Sequence, residues 1–291
     1  MAGPPLVVSP EWLAEHLEDP TLRVLDATVR LRRDENGTVA SIESGRPAFD
    51  AGHVPGAAFV DMIELSDRDA PAPFMLPRAE VLAEAMASLG VGEGTHVVAY
   101  DTVGGMWAAR LWWTLRAYGF EAASVLDGGL RAWREGGRPV STDAPPPRDA
   151  GGFEPRFRPE LVATREQVEE QVDGRGGGGA CLVNALEPAV FRGEVSLLGG
   201  RPGRIPGSVN VPTSDLVDPD TGRFLPPERI RERFAAAGAL DGERVVTYCG
   251  AGIAASMDAF ALALAGRDDA AVYDGSLAEW ASDPERPLET G

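Results

Sequence analysis

Two nearly continuous apolar runs, residues 97–100 and 245–248, are each followed by a stretch with helical spacing, residues 106–118 and 254–265. Runs of strand length without polar alternation fit a sheet buried on both faces. Further helices are expected over residues 78–89 and 227–237, each ending close to a glycine. Strands alternating with helices predict an α/β fold with mainly parallel sheets.

The pattern occurs twice. The first half carries Val24-Leu25-Asp26-Ala27, His53-Val54-Pro55-Gly56, Val97-Val98-Ala99-Tyr100-Asp101, then Val125-Leu126-Asp127-Gly128-Gly129 and Trp133. The second half carries Leu182-Val183-Asn184-Ala185, Arg204-Ile205-Pro206-Gly207, Val245-Val246-Thr247-Tyr248-Cys249, then Val272-Tyr273-Asp274-Gly275-Ser276 and Trp280. The pairs Asp26/Asn184, Gly56/Gly207, Asp101/Cys249 and Trp133/Trp280 stand 158, 151, 148 and 147 positions apart. A slowly drifting offset means the same elements in the same order, joined by loops of different length. The chain is a tandem duplication. Prolines and glycines within residues 141–159 break all periodicity, which places domains at 1–142 and 159–291 with a linker at 143–158. The glycine-rich residues 174–179 read as a flexible insertion in the second domain.

Charge narrows the partners. The 291 residues carry 27 Lys plus Arg against 45 Asp plus Glu, a net charge of −18. Such a surface repels phosphate backbones and anionic lipid, so neither nucleic acid nor membrane is expected as a partner. The first ten residues lack the pattern of a secretory signal, and no apolar run approaches the length of a membrane span. Two cysteines, Cys181 and Cys249, make no disulfide framework, and a reducing cytoplasm is the expected compartment. Neither has a second Cys or a His at ligand spacing, so no metal is expected.

The chemistry concentrates at Cys249-Gly250-Ala251-Gly252-Ile253-Ala254-Ala255. Here a strand ends, a short loop with two glycines follows, and a helix begins. Ligands of parallel α/β sheets bind outside the carboxyl ends of the strands, where Cys249 falls. The glycines let successive N–H groups aim at one anionic centre, and a helix N-terminus adds positive potential. Together these are expected to lower the thiol pKa and to hold a thiolate or persulfide without metal. Cys181, at the start of a strand, reads as structural.

With these residues in view the sequence resembles the tandem-domain rhodanese family of thiosulfate and 3-mercaptopyruvate sulfurtransferases, over nearly the whole chain. Residues 49–60, Phe49-Asp50-Ala51-Gly52-His53-Val54-Pro55-Gly56-Ala57-Ala58-Phe59-Val60, match the family's N-terminal signature. Residues 270–280 match the C-terminal one, except that Leu277 replaces the usual aromatic residue. The resemblance implies two tandem rhodanese-like domains, each a mainly parallel sheet flanked by helices, of which only the second is catalytic. The residues agree, because Asp101 stands where the second half has Cys249, and a carboxylate carries no transferable sulfur. The first half then supplies packing and one wall of a cleft. The implied reaction moves a sulfane sulfur from 3-mercaptopyruvate or thiosulfate to a Cys249 persulfide, releasing pyruvate or sulfite. A thiol, cyanide or a thioredoxin-like protein then accepts it. The N–H groups of Gly250 to Ala255 stabilise the negative sulfur, and no cofactor is implied beyond the covalent persulfide.

Donor preference is read from the loop. Thiosulfate enzymes of the family often carry Arg and Lys directly after the Cys, whereas mercaptopyruvate enzymes typically read Cys-Gly-Ser-Gly-Val-Thr. The uncharged two-glycine outline here favours mercaptopyruvate, although Ala251 and Ala254 lack both hydroxyls. His53 corresponds to a member of the family's proton relay. Family members usually place an acid and an Arg after the first strand of the second domain; this chain has Asn184-Ala185-Leu186. Arg192 matches the downstream family pattern, and Arg201 and Arg204 follow in a glycine-rich loop; any of the three could meet a substrate carboxylate, and Arg192 and Arg201 are carried forward as the candidates. Two other readings compete. A persulfide-binding or sensing protein with little turnover fits the lost acid, Arg and hydroxyls. A Cys-based phosphatase or arsenate reductase needs an Arg six positions after the Cys, where this chain has Ala255.

Overall fold

The computed structural model describes residues 4–145, 148–149, 151–175 and 179–291. Pro146, Pro147 and Ala150 of the expected linker, and 176–178 of the expected glycine-rich loop, lie outside the described residues. The first half contains β1 (Val7–Val8), β2 (Leu22–Asp26), β3 (Val29–Arg33), β4 (Val39–Ser44), β5 (Ala58–Phe59), β6 (His96–Tyr100) and β7 (Ala123–Leu126). The second contains β8 (Val162–Ala163), β9 (Ala180–Asn184), β10 (Val209–Asn210), β11 (Arg244–Tyr248) and β12 (Ala271–Tyr273). Two five-stranded sheets result, ordered β1-β7-β6-β2-β5 and β8-β12-β11-β9-β10. Every pairing within them is parallel. The two orders superimpose element for element, as the repeated motifs require. Asp26 pairs with Tyr100 and Asn184 with Tyr248, so Asp101 and Cys249 follow at equivalent sheet edges.

The two helices that follow β6 and β11 hold the halves together. Met106–Ala117 is buried at every position except Met106, and Ile253–Leu264 at every position except Leu264. A helix buried all round lies inside a core, and these two lie against each other. Trp112 meets Phe260 edge to face at 4.9 Å. One cluster of buried residues therefore runs through both halves, while the outer face of each sheet has its own smaller cluster. Observed helix ends fall within one or two residues of those expected from spacing, the ordinary uncertainty at a frayed terminus. Trp133 and Trp280 hold matching places, donating Nε1–H to Pro139 O at 2.7 Å and Pro287 O at 2.9 Å.

Two features stand outside the repeat. The described part of residues 143–158 is fastened to the first half: Gly151 N donates to Ala87 O and Arg156 N to Tyr118 O, both at 2.8 Å, and Phe153 is buried. The antiparallel hairpin β3–β4 has no partner among the sequence expectations. It leaves the first sheet and reaches the second half, where Val39 N donates to Leu197 O at 2.9 Å and Thr38 Oγ1 to Ser196 O at 3.0 Å.

Candidate active site

Cys249 is the first residue beyond β11, at the carboxyl edge of the second sheet. Gly252, left-handed at φ 80°, turns the loop into the helix Ile253–Leu264. A Cβ there would lie 2.7 Å from Asp274 Oδ1, so the position demands glycine for space as well as for conformation. The loop is fastened from below. Ser276 Oγ accepts the N–H groups of Cys249 and Gly252, both at 3.1 Å, and donates to Tyr273 O at 2.8 Å. Leu277 N and Ala278 N donate to the carbonyls of Cys249 and Gly250. Cys249, Gly250, Gly252, Tyr273 and Ser276 are buried and Leu277 and Ala278 half-buried, so these hydrogen bonds fix the loop's shape with little competition from water.

The matching loop of the first half shows what this shape binds. Asp101 is buried, and its carboxylate accepts four backbone N–H groups: Val103 and Gly105 on Oδ1 at 2.8 and 2.9 Å, Trp107 and Ala108 on Oδ2 at 2.9 and 3.0 Å. The cradle holds an anion built into its own chain. In the second half the N–H groups of Ala255, Ala251 and Ala254 favour the charged form of the Cys249 thiol. Ala254 and Ala255 follow Gly252 as Trp107 and Ala108 follow Gly105.

The thiol is 2% exposed. Burial pushes its pKa up, opposed by the N–H groups of Ala255, Ala251 and Ala254 and by the Ser276 hydroxyl. The expectation of a lowered thiol pKa is thus corrected: the donors are present as expected, but desolvation of the charged form outweighs them. Cys181 is half-buried and its thiol is also pushed up, first by burial and then by Asp241.

A cleft of about 170 Å³ opens over Cys249. Its floor is Cys249, Gly250, Ala251, Ile253 and Ala254; its walls include Phe74, Met106 and Trp107 of the first half and Leu186 and Val190 of the second. The hairpin closes it with Leu31, Arg33, Val39 and Ile42. The expected wall from the first half is therefore present, and much of it comes from a hairpin that the repeat comparison does not reveal. Gly252 and Ala255, of the expected loop residues, lie beneath the floor.

The three remaining sequence candidates are not brought to this cleft. Arg192 is exposed and pairs with Glu194, Nε to Oε1 at 2.6 Å, away from the lining. Arg201 lines a neighbouring cavity of about 390 Å³ across Leu197 and Leu198, where its Nη1 donates to Asp283 O at 2.8 Å. His53 is buried in the first half, stacked on Phe49 at 3.9 Å, with Nδ1 at 2.8 Å from Phe49 O. Residues that sequence reasoning did not single out take part instead: Ser276, Arg33, and Glu187 in the cleft wall. Ser276 had a readable signal, since it stands where the first half has a second glycine, Gly129. Among the described residues no group of three or more His, Cys, Asp or Glu is placed to hold a metal ion. No helix among them is long and apolar enough to cross a membrane.

Comparison with known proteins follows this geometry. The family model described as "Rhodanese-like domain" matches residues 9–136 and 178–283. The 3-mercaptopyruvate sulfurtransferase of Homo sapiens is 38% identical, covering 96% of this chain and 94% of its own. The thiosulfate sulfurtransferase of Mus musculus is 35% identical, over 94% and 91%. The crystal structure of the Escherichia coli 3-mercaptopyruvate sulfotransferase SseA superimposes with a TM-score of 0.81 at 32% identity, covering 94% of this chain and 99% of that one.

Proposed function

The chain belongs to the rhodanese family and is a sulfurtransferase, and we propose that Cys249 carries the sulfur, with 3-mercaptopyruvate preferred over thiosulfate as donor. The observation that carries this reading is the pair of loops. One cradles the Asp101 carboxylate, and the other presents equivalent N–H groups to a thiol. A thiolate or persulfide at Cys249 has the charge that the cradle suits. With this reading goes the two-domain division we propose: a non-catalytic domain over 1–142, a linker over 143–158 and a catalytic domain over 159–291.

In the first half-reaction the Cys249 thiolate attacks the sulfur of 3-mercaptopyruvate. An S–S bond forms and the C–S bond breaks; its electron pair stays on carbon as an enolate, which takes a proton to give pyruvate. From thiosulfate the same attack breaks the S–S bond and sulfite leaves with the pair. In the second half-reaction an acceptor thiolate or cyanide attacks the outer sulfur, and Cys249 leaves as thiolate. The cradle N–H groups stabilise the anionic sulfur in both steps without reorganising. Small thiols and a thioredoxin-like protein are the acceptors we favour, in a reducing cytoplasm that keeps the free Cys181 and Cys249 as thiols. No cofactor beyond the covalent persulfide is required by these steps.

Intact-mass spectrometry after incubation with each donor tests the reading. Wild-type protein is expected to gain one sulfur atom, faster from 3-mercaptopyruvate, reversibly with cyanide or dithiothreitol; Cys249→Ser is expected to gain none. Absence of any gain with folded, reduced protein would overturn the assignment of Cys249 as sulfur carrier.

A further inference from the structure

We propose that Arg33, contributed by the non-catalytic half, binds the acid group of the small organic sulfur compounds that react at Cys249. The site would thus select compounds with an uncharged sulfur-bearing body and one anionic end. The proposal rests on the assignment of Cys249 above.

Four observations converge on Arg33. First, it is the one basic residue lining the Cys249 cleft, where Glu187 is the one acidic residue and the other described side chains are apolar except Thr213 and the cysteine itself. Among the described residues that line this cleft, a carboxylate or sulfonate has no other cation to meet.

Second, Arg33 has no carboxylate partner among the described residues, although its neighbour Arg32 pairs with Glu43 at 3.1 Å and Arg192 pairs with Glu194. Its Nη1 donates to Gly37 O at 2.9 Å, which leaves the rest of the guanidinium's five N–H groups for a ligand.

Third, the strand register is adjusted for this face. Leu31 pairs with Ile42, but Arg33 pairs with Val39, so one extra residue of β4 is accommodated at a bulge beside Arg33. Side chains alternate along a strand, and without the bulge Val39 and Ile42 would face opposite ways. With it, Leu31, Ile42, Val39 and Arg33 all line the same cleft.

Fourth, the backbone bonds from Val39 to Leu197 and from Thr38 to Ser196 tie the hairpin to the second half and thereby set Arg33 relative to Cys249.

The chemistry that fits is small. A cleft of about 170 Å³ lies below the 300–1,000 Å³ typical of drug-sized ligands. The apolar walls accept an uncharged carbon–sulfur body, and a guanidinium binds a planar acid group with charge-assisted hydrogen bonds.

The test compares two acceptor thiols of similar size, 3-mercaptopropionate and 2-mercaptoethanol, which carry a carboxylate and a hydroxyl. In a ping-pong scheme kcat/KM for the acceptor reports only the second half-reaction, whichever donor loads the enzyme. Wild type is expected to favour 3-mercaptopropionate. In Arg33→Ala the ratio of kcat/KM for the two thiols should fall by about tenfold or more, the weight of one hydrogen bond to a charged group. The loss should appear in KM for the acid, and Arg33→Lys should recover part of it. A ratio that Arg33→Ala leaves unchanged would overturn the proposal, whether both thiols slow together or neither does. Sulfur loading of the same proteins, read by intact mass, separates the two levels. Loading with an unchanged ratio rejects the role of Arg33 alone, whereas wild type that never loads rejects Cys249 and Arg33 together.

Discussion

Arg110 of the first half and Asp274 of the second form an ion pair at 2.6 Å whose side chains are only 2% and 3% exposed. Each partner has further contacts. The Arg110 guanidinium donates to Phe74 O and stacks on Trp113 at 4.7 Å, and Asp274 Oδ2 accepts Leu76 N at 2.7 Å. The pair lies against Gly252, whose Cβ, if it had one, would be 3.1 Å from Arg110 Nη1 and 2.7 Å from Asp274 Oδ1. The first half thus braces the loop that carries Cys249.

Removing one partner leaves the other as an uncompensated buried charge. Arg110→Ala and Asp274→Ala are each expected to cost about 3–5 kcal/mol in urea denaturation. The double variant should cost less than the sum, because it leaves neither charge stranded. Strict additivity would show that the two side chains do not depend on each other.

Ser276 gives a sharper test of the loop's support. It adopts a left-handed backbone, φ 50°, where the first half has Gly129 at φ 57°. A side chain is tolerated there because the hydroxyl binds the N–H groups of Cys249 and Gly252. Ser276→Ala loses the hydroxyl and keeps the strain, whereas Ser276→Gly loses the hydroxyl and relieves it. Ala should therefore be the less stable variant by about 1 kcal/mol, the usual cost of a left-handed non-glycine residue. Both should slow sulfur loading of Cys249. Equal stabilities would mean that the backbone at 276 relaxes out of its left-handed conformation in the variants.

The repeat made the two mainly parallel sheets and the Cys249 loop readable, because buried parallel strands are short apolar runs and each run was seen twice. What occurs once was harder to find. The hairpin β3–β4 has no counterpart among the described residues of the second half, yet its local signals are present: Val29 and Leu31 alternate with Arg30 and Arg32, and Asn36-Gly37 marks the turn, with Gly37 at φ 83°. Arg192 matched a family pattern in sequence, but Glu194 two residues later neutralises it in place. The raised pKa of Cys249 was not legible at all, since a motif specifies hydrogen-bond donors whereas desolvation depends on how deeply the whole fold buries the sulfur.

That burial has a kinetic consequence. The thiolate is the nucleophile, and a thiol pushed above its ordinary range is mostly protonated at neutral pH. In a Cys181→Ser background, alkylation of Cys249 by iodoacetamide should keep accelerating with pH beyond the region near 8.5 where a free cysteine is half ionised. Limited access to the cleft lowers the rate at every pH without moving the midpoint. A plateau reached by about pH 7 would mean that the cradle's N–H groups outweigh desolvation.

Asp258 extends the same reasoning to stability. It lies inside the Ile253–Leu264 helix, fully buried, and neither carboxyl oxygen has a hydrogen-bond partner among the described residues. Burial raises its pKa well above the ordinary carboxylate value. The folded protein therefore keeps a proton on Asp258 at pH values where the unfolded chain has lost it. Between the unfolded pKa near 3.9 and the raised folded one, the folded state binds one more proton, so this group lowers stability as pH rises by about 1.4 kcal/mol per pH unit. Asp258→Asn removes the titration while keeping size and shape. The variant's stability relative to wild type should accordingly increase from about pH 5 to about pH 8 in urea denaturation, with a slope no steeper than one proton allows. A difference that stays constant with pH would mean that the Asp258 carboxylate is ionised in the folded protein and has found a partner.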